Sequence, residues 1–470
     1  MSYLNKYTLS IIAILIIAFV VRVYNLNYNS PFLDEAIYIT LGKTLFYGNF
    51  NDHTPFNWVG GMPLLYPTIS ALAYIAGGII GSRLINVILG TLSVYLMYKF
   101  TQKLHFWKEE HLNKATGIFA ALFLAISAIP ISLSRLATYD MLSVTFFLGG
   151  LVFLLDALFK KNPNSYFWSA LCLLLAFLTK YTVLMFFPFI LLLAYLYIKV
   201  YNKKQISEVL FFIFMIIVGL GIYIGKYLTE LTEFVTGQVV NRSNLGSIGI
   251  ITQFLQSTYL PYLLGILGLI ALICLRRSYA PIFIFLLSFI PIIIHTITYN
   301  SATLEQSTIF SLLFIFPFTA YLSTFITQKY KASGILVILI IAFLFMEYIN
   351  SALKKEGLGY RWPNSTDAMQ YLQKQVSGDE RILAESADVA VLALDGKVPN
   401  KNIDGPYYFV HDKKTGTQAY RKAVMDGYFN IVELNKYTSL TPTIKNIVDK
   451  KYKIIYKKDV FTIYKKINNE

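Results

Sequence analysis

At 470 residues, 56% hydrophobic and only 14% charged, with a mean hydropathy of +0.55, the chain is unlike a soluble domain, which runs about a quarter charged. Its net charge of +15 is distributed one-sidedly along the chain, which argues for membrane topology and against a nucleic-acid partner. The two cysteines, Cys172 and Cys274, lie in apolar segments and give neither a disulfide framework nor a zinc spacing.

Uncharged stretches recur that approach the roughly 20 apolar residues needed to cross a bilayer. The first predicted span is Tyr7–Tyr24; no small-residue cleavage site follows it, so it reads as retained rather than as a removed signal peptide. Leu64–Ile80 is apolar enough to cross, but we expect it to lie at the membrane interface. The later spans are predicted at Leu84–Leu104, Ala115–Pro130, Met141–Phe159, Phe167–Leu178, Thr182–Tyr201 and Val209–Gly225. They continue at Ser257–Leu275, Pro281–Ile297, Ser307–Thr327 and Gly334–Ile349, about eleven in all.

Basic residues concentrate in cytoplasmic loops. With Leu64–Ile80 at the interface and the N-terminus inside, the cytoplasmic loops up to Met346 carry 14 Lys/Arg against four acids, and the outer loops carry seven of each. The opposite parity cannot produce that asymmetry. The expected domains are therefore a membrane domain at 1–349 and an external soluble α/β domain at 350–470. Within the latter, Asp367–Gln375 and Lys445–Lys450 read as helices; Arg381–Glu385, Val389–Ala393, Lys453–Tyr456 and Val460–Tyr464 read as strands.

The predicted outer face gathers the chemistry. The first outer loop, Arg22 to Arg83, is about sixty residues and long for a connector. It holds the adjacent carboxylates Asp34 and Glu35, then Tyr38, at the start of an interfacial helix. Such a pair can serve as a general base, a metal site or a helix cap; the bland reading of Asp34 is a cap favoured by the helix dipole. Asp140 falls at the outer end of the fourth span. Lys180 sits in a very short turn between the fifth and sixth, where an ionisable group usually has a partner. It either snorkels to the interface or binds a phosphate as a point charge, with Arg135 and Arg242 as further positive charge. His295 and Glu305 flank the outer turn after the ninth span; a lone histidine there is more often structural than a metal ligand.

Five segments in order carry a resemblance: Asp34-Glu35-Ala-Ile-Tyr38, Met62-Pro63-Leu-Leu-Tyr66, Arg83-Leu-Ile-Asn-Val, Ser134-Arg135-Leu-Ala-Thr-Tyr139-Asp140 and Phe177-Leu-Thr-Lys180-Tyr181. Over roughly the first 200 residues the chain resembles the lipid-dependent glycosyltransferases of the GT-C membrane fold, in the branch of protein O-mannosyltransferases and lipid A aminoarabinose transferases. The resemblance implies a dolichyl- or undecaprenyl-phosphate sugar donor and a protein, lipid or glycan acceptor. It further implies a single inverting displacement with Asp34 the base of the acidic pair and Lys180 on the donor phosphate, Arg135 assisting. Tyr38, Arg83, Asp140 and Glu305 would support them. The aminoarabinose transferases have Glu-Lys-Pro-Pro where this chain has Gly60-Gly61-Met62-Pro63, which removes one proposed metal or phosphate ligand and leaves the metal requirement open. Glu305-Gln306-Ser307 stands where a basic residue is common. Two alternatives are a flippase for lipid-linked sugars, which would predict internal repeats and midplane charges, and an oligosaccharyltransferase or glycan ligase.

Overall fold

The computed structural model describes residues 6–47, 59–160, 162–201, 205–241, 245–276, 280–356, 362–406, 409–436 and 440–467. Arg242, read from the sequence as positive charge, lies outside them. The chain divides into two compact units. One is Met1–Leu26, Thr54–Tyr66 and Arg83–Leu358; the other is Asn27–His53, Pro67–Ser82 and Gly359–Glu470. Most of the long first loop thus groups with the C-terminal segment.

The helices in chain order are α1 (Lys6–Val23), α2 (Leu33–Tyr47), α3 (Tyr66–Lys103), α4 (Glu110–Ile126), α5 (Ala128–Ser134), α6 (Asp140–Lys160) and α7 (Pro163–Thr179). A 3-10 turn at Tyr181–Phe186 leads into α8 (Phe187–Tyr201), then α9 (Ile206–Lys226), α10 (Leu228–Phe234), α11 (Ser247–Arg276), α12 (Ala280–Leu286), α13 (Ile290–Thr298) and α14 (Leu304–Glu356). Each of the eleven segments expected to cross falls on a helix. Among the described residues, eight helices are long and apolar enough to span a bilayer, nine if the bent pair α4–α5 counts as one. The difference from eleven has two sources: α7 has only 17 residues, and α14 runs on past a break at Lys331 (φ 47°).

The interfacial expectation for Leu64–Ile80 meets a broken helix. α3 loses helical geometry at Gly77 and Gly78, the latter at φ +61°, a conformation that glycine adopts without strain. The part before the break, Tyr66 to Ala76, is about 16 Å long at 1.5 Å per residue, roughly half a hydrocarbon core. It crosses α2 closely: a Cβ on Gly42 would lie 2.0 Å from the Pro67 carbonyl oxygen.

In the first unit the buried faces of α1, α3–α9 and α14 share one apolar core, with Phe147, Phe186, Phe310 and Phe314 at edge and tilted angles in its centre. Most of Leu304–Lys331 is buried, which makes this stretch of α14 the centre of the unit. α4 and α5 bend by 61° at Ser127, freeing the last carbonyls of α4. Fully buried Arg22 takes them up: Nη1 donates to Ala125 O at 2.9 Å and Nη2 to Leu124 O at 3.2 Å, while Nε donates to Ser134 Oγ. A helix end without water needs such a partner.

The second unit contains a five-stranded sheet of order β2-β1-β5-β7-β6. Its strands are β1 (Ile382–Ala384), β2 (Ile403–Asp404), β5 (Ile431–Leu434), β6 (Tyr452–Lys458) and β7 (Phe461–Lys466); β3 (Val410–His411) and β4 (Lys414–Thr415) form a separate hairpin. Four helices accompany them: α15 (Thr366–Gln375), α16 (Ala387–Ala393), α17 (Gly416–Asp426) and α18 (Leu440–Lys451). The expected strand at Val389–Ala393 is helix α16. β1 and β2 are parallel neighbours, and parallel strands need a crossover, usually helical; its apolar, mostly buried sequence with two valines hid it. Ala36 and Ile39 of α2 are buried in the same core as Val389 and Ala390 of α16.

Glu433, on central β5, is fully buried, and its Oε2 accepts the N–H groups of Glu385 at 2.9 Å and Ser386 at 3.3 Å. Burial, reinforced by the charge of Glu385, pushes its carboxyl from an ordinary 4.5 up to about 8. The folded chain therefore holds a proton that the unfolded chain releases, and this contribution to stability is full below pH 4.5 and lost as pH rises through 8. We expect the difference in Tm between wild type and Glu433→Gln to shrink or reverse across that interval; a difference independent of pH would contradict the assignment.

Candidate functional site

In the second unit, the entry to α2 is fixed by Trp362. Its indole N–H donates to Ser30 O at 3.0 Å, Asn29 Nδ2 donates to Trp362 O at 2.9 Å, and the rings of Tyr28 and Phe32 pack on it. The Ser365 N–H donates to Ser30 Oγ at 3.0 Å. The acidic pair then divides its labour. Glu35, fully buried, reaches back to accept the Phe32 N–H at 2.8 Å, the second half of a capping box. The cap that the sequence allowed for Asp34 is made by Glu35. Asp34 is half-buried in the same first turn, and Tyr38 is buried one turn on. Lys43 forms an ion pair with Asp395 and lies over the Tyr74 ring.

In the first unit, four of the five sequence segments are stitched together by hydrogen bonds. Asn86, in the Arg83 segment, donates through Nδ2 to the Tyr66 hydroxyl at 3.0 Å, to Thr138 O at 2.6 Å and to Leu136 O. The Thr138 hydroxyl donates to Asp140 Oδ2 at 2.8 Å, and Lys180 Nζ donates to Asp140 Oδ1 at 2.6 Å. Both members of that ion pair are only 1% exposed, so Lys180 does not snorkel; it is a partnered charge. The Tyr139 ring lies beneath its ammonium, 5.5 Å from the centroid.

Backbone pairing closes the arrangement. Met62 N–H donates to Leu178 O at 2.6 Å and Tyr181 N–H to Gly60 O at 2.8 Å, laying Gly60–Met62 against the Lys180 turn. That contact explains the glycines where the aminoarabinose transferases have Glu-Lys: a Cβ at position 61 would sit 2.0 Å from Thr179 O, and one at 60 would sit 2.9 Å from the Tyr139 hydroxyl.

Other expected site residues are placed differently. Arg135 donates from Nη1 to Val21 O and Tyr24 O and from Nη2 to Asn25 O, at 2.6–3.3 Å, so its guanidinium clamps the end of α1. Arg83, fully buried, donates to Leu26 O at 2.7 Å. His295 binds the Asn300 carbonyl through Nδ1 at 2.5 Å and is buried at the end of α13. Among the described residues no three His, Cys, Asp or Glu side chains gather to hold a metal. Glu305 sits half-buried in the first turn of α14. The sequence reading missed Arg22, visible only as the basic end of an apolar run.

Residues 62–225 match the family model described as dolichyl-phosphate-mannose-protein mannosyltransferase. The chain is similar to ArnT from Cupriavidus metallidurans, solved without ligand, at TM-score 0.67 and 10% identity over 97% of each chain. The same enzyme solved with undecaprenyl phosphate gives 0.66, also at 10% identity, over 98% of each chain. The chain has the GT-C fold. The archaeal oligosaccharyltransferase AglB from Archaeoglobus fulgidus, solved with an inhibitory peptide and a dolichol-phosphate, matches at 0.61 and 11% identity over 98% of this chain and 74% of its own. No curated protein sequence matches. The matched stretch holds Arg83, Asp140 and Lys180, and both the family model and the structures of similar fold belong to membrane glycosyltransferases.

Breaking a buried ion pair from one side leaves an uncompensated charge and costs about 3–5 kcal/mol. Lys180→Met should therefore lower the thermal midpoint of the detergent-solubilised protein sharply, and adding Asp140→Asn should recover most of the loss. A single variant as stable as wild type would refute the pairing.

Proposed function

We propose that this glycosyltransferase moves one sugar from a polyprenyl phosphate to a hydroxyl of a protein, lipid or glycan acceptor, in a single inverting displacement at the outer membrane face. The observation that carries the reading is the family match over residues 62–225, whose segments are those joined around the Lys180–Asp140 pair. ArnT and AglB, solved with polyprenyl phosphates, support the donor class. The charge asymmetry of the loops supports the orientation, with the N-terminus cytoplasmic and the C-terminal segment external.

Asp34 is the base: it accepts the acceptor hydroxyl proton as that oxygen attacks the anomeric carbon. The departing lipid phosphate is already a good leaving anion at neutral pH and needs fixed positive charge where its own charge grows. Lys180 supplies it. An ammonium has three N–H donors, of which Asp140 takes one, fixing the position of the other two without reorganisation during the reaction. The residues described do not compose a metal site, and no step here passes through one.

The test is to supply the purified protein with polyprenyl-phosphate mannose, glucose and aminoarabinose and follow the lipid by mass spectrometry. One donor should be consumed, releasing polyprenyl phosphate. Asp34→Asn should slow that turnover roughly 10²–10⁴-fold, the usual contribution of a general base, with expression unchanged. Wild-type rate in that variant refutes the base; movement of the lipid across the bilayer without bond cleavage establishes the flippase reading. Transfer of a whole glycan establishes the oligosaccharyltransferase reading, which the AglB similarity keeps in view.

A further inference from the structure

Within the second unit, α2 buries Ala36 and Ile39 in the core that holds Val389 and Ala390 of α16. Further along α2 that packing gives way to a cavity of about 590 Å³. Thr40, Lys43 and Thr44 of α2 line one side; the end of α16 and the chain from Asp395 to Asn400 line the other. The proposed transfer does not use it. At about 100° and 1.5 Å per residue, Lys43 stands half a turn round α2 from Asp34 and roughly 14 Å along the axis. The cavity is therefore separate from the carboxylate assigned as base.

Its walls are of two kinds. Val391, Leu392, Val398 and Pro399 offer aliphatic surface. Beside them stand ammonium, hydroxyl and amide groups. Lys43 pairs with Asp395 and lies over the Tyr74 ring, 5.2 Å from its centroid, which fixes this ammonium on the α2 side. On the facing side Lys397 Nζ donates to Gln373 O at 3.2 Å. That acceptor is neutral, so the lysine keeps two N–H donors and a charge that the bond does not cancel. Its main chain is held as well: the Lys397 N–H donates to Leu394 O at 2.8 Å, just after Gly396 turns at φ +74°. Thr40 Oγ1 is buried and makes no hydrogen bond among the described residues; a buried hydroxyl without a partner is costly. Asn400, half-buried at the end of the lining chain, brings both amide donors and an acceptor.

We propose that this cavity binds one pyranose ring of a glycan and prefers a ring that carries a carboxylate. A pyranose turns C–H faces to aliphatic side chains and hydroxyls, each both donor and acceptor, to polar ones. The cavity offers both surfaces, and its size lies within the range of small-molecule sites. Lys397 supplies the cation for the carboxylate, and Asn400 bonds the ring hydroxyls. Among the described lining residues there is neither an aromatic ring to stack a nucleobase nor a glycine-rich loop to cradle a diphosphate. The choice of a sugar rests on the acceptor class proposed above; the place and polarity of the site do not.

The test is saturation-transfer NMR on the full-length protein in detergent, with methyl glucuronoside, methyl glucoside and inorganic phosphate as probes. The glucuronoside should bind more tightly than the glucoside. It should bind Asp34→Asn as well as wild type, so the result stands apart from the fate of the base. Lys397 is exposed and Asn400 half-buried, so the double variant Lys397→Ala/Asn400→Ala should keep the wild-type thermal midpoint. It should bind the glucuronoside about tenfold more weakly, the order of one lost charged hydrogen bond. The glucuronoside should also shield Lys397 from acetylation, read by peptide mass spectrometry. Equal affinity for both glycosides, or for wild type and the double variant, would overturn the proposal. So would binding that Asp34→Asn abolishes, an unshielded Lys397, or displacement of the sugar by an equal concentration of phosphate.

Discussion

A charge buried among bilayer-spanning helices must be matched where it stands, and Lys180 and Asp140 meet that demand for each other. Each sits at a helix junction: Asp140 opens α6, and Lys180 lies between α7 and the 3-10 turn. The pair therefore fixes where two spans end. Thr138, Asn86 and Tyr66 extend the network from there, and the backbone of Gly60–Met62 is pinned beside it. Without that match the lysine would be expensive at such depth, and the neighbouring segments would lose their common anchor.

Arginine plays a second part in the same unit. Arg22, Arg83 and Arg135 are all buried and all donate to main-chain carbonyls at helix ends and turns. A guanidinium suits this because its planar fork reaches several acceptors at once. Positive charge that the sequence displays at Arg22, Arg83 and Arg135 is thus spent on backbone.

The spans, their order and the segments around Asp34, Arg83, Asp140 and Lys180 were legible because apolar length and charge placement are local properties. The structure keeps the segments around Asp34, Asp140 and Lys180 on helix ends and the one around Arg83 within α3. What was not legible depended on partners distant in sequence. Glu35 and Asp34 look equivalent as neighbours, yet only the side chain aimed back at Phe32 can cap. Val389–Ala393 is apolar with two valines, and only the parallel pairing of β1 with β2 shows why it must be a helix. Arg135 reads as a free cation until the end of α1, more than a hundred residues earlier, is seen to occupy it. The sheet order, with β5 central and Glu433 buried on it, follows from no periodicity within any one strand.

The most direct test of the account is the anomeric configuration of the product. One base and fixed positive charge on a leaving phosphate allow one displacement, so the transferred sugar should carry the configuration opposite to that in the donor, as read by the anomeric proton coupling of the isolated product. Retention would require a covalent glycosyl intermediate on the protein, and with it a nucleophile in place of the base assigned to Asp34.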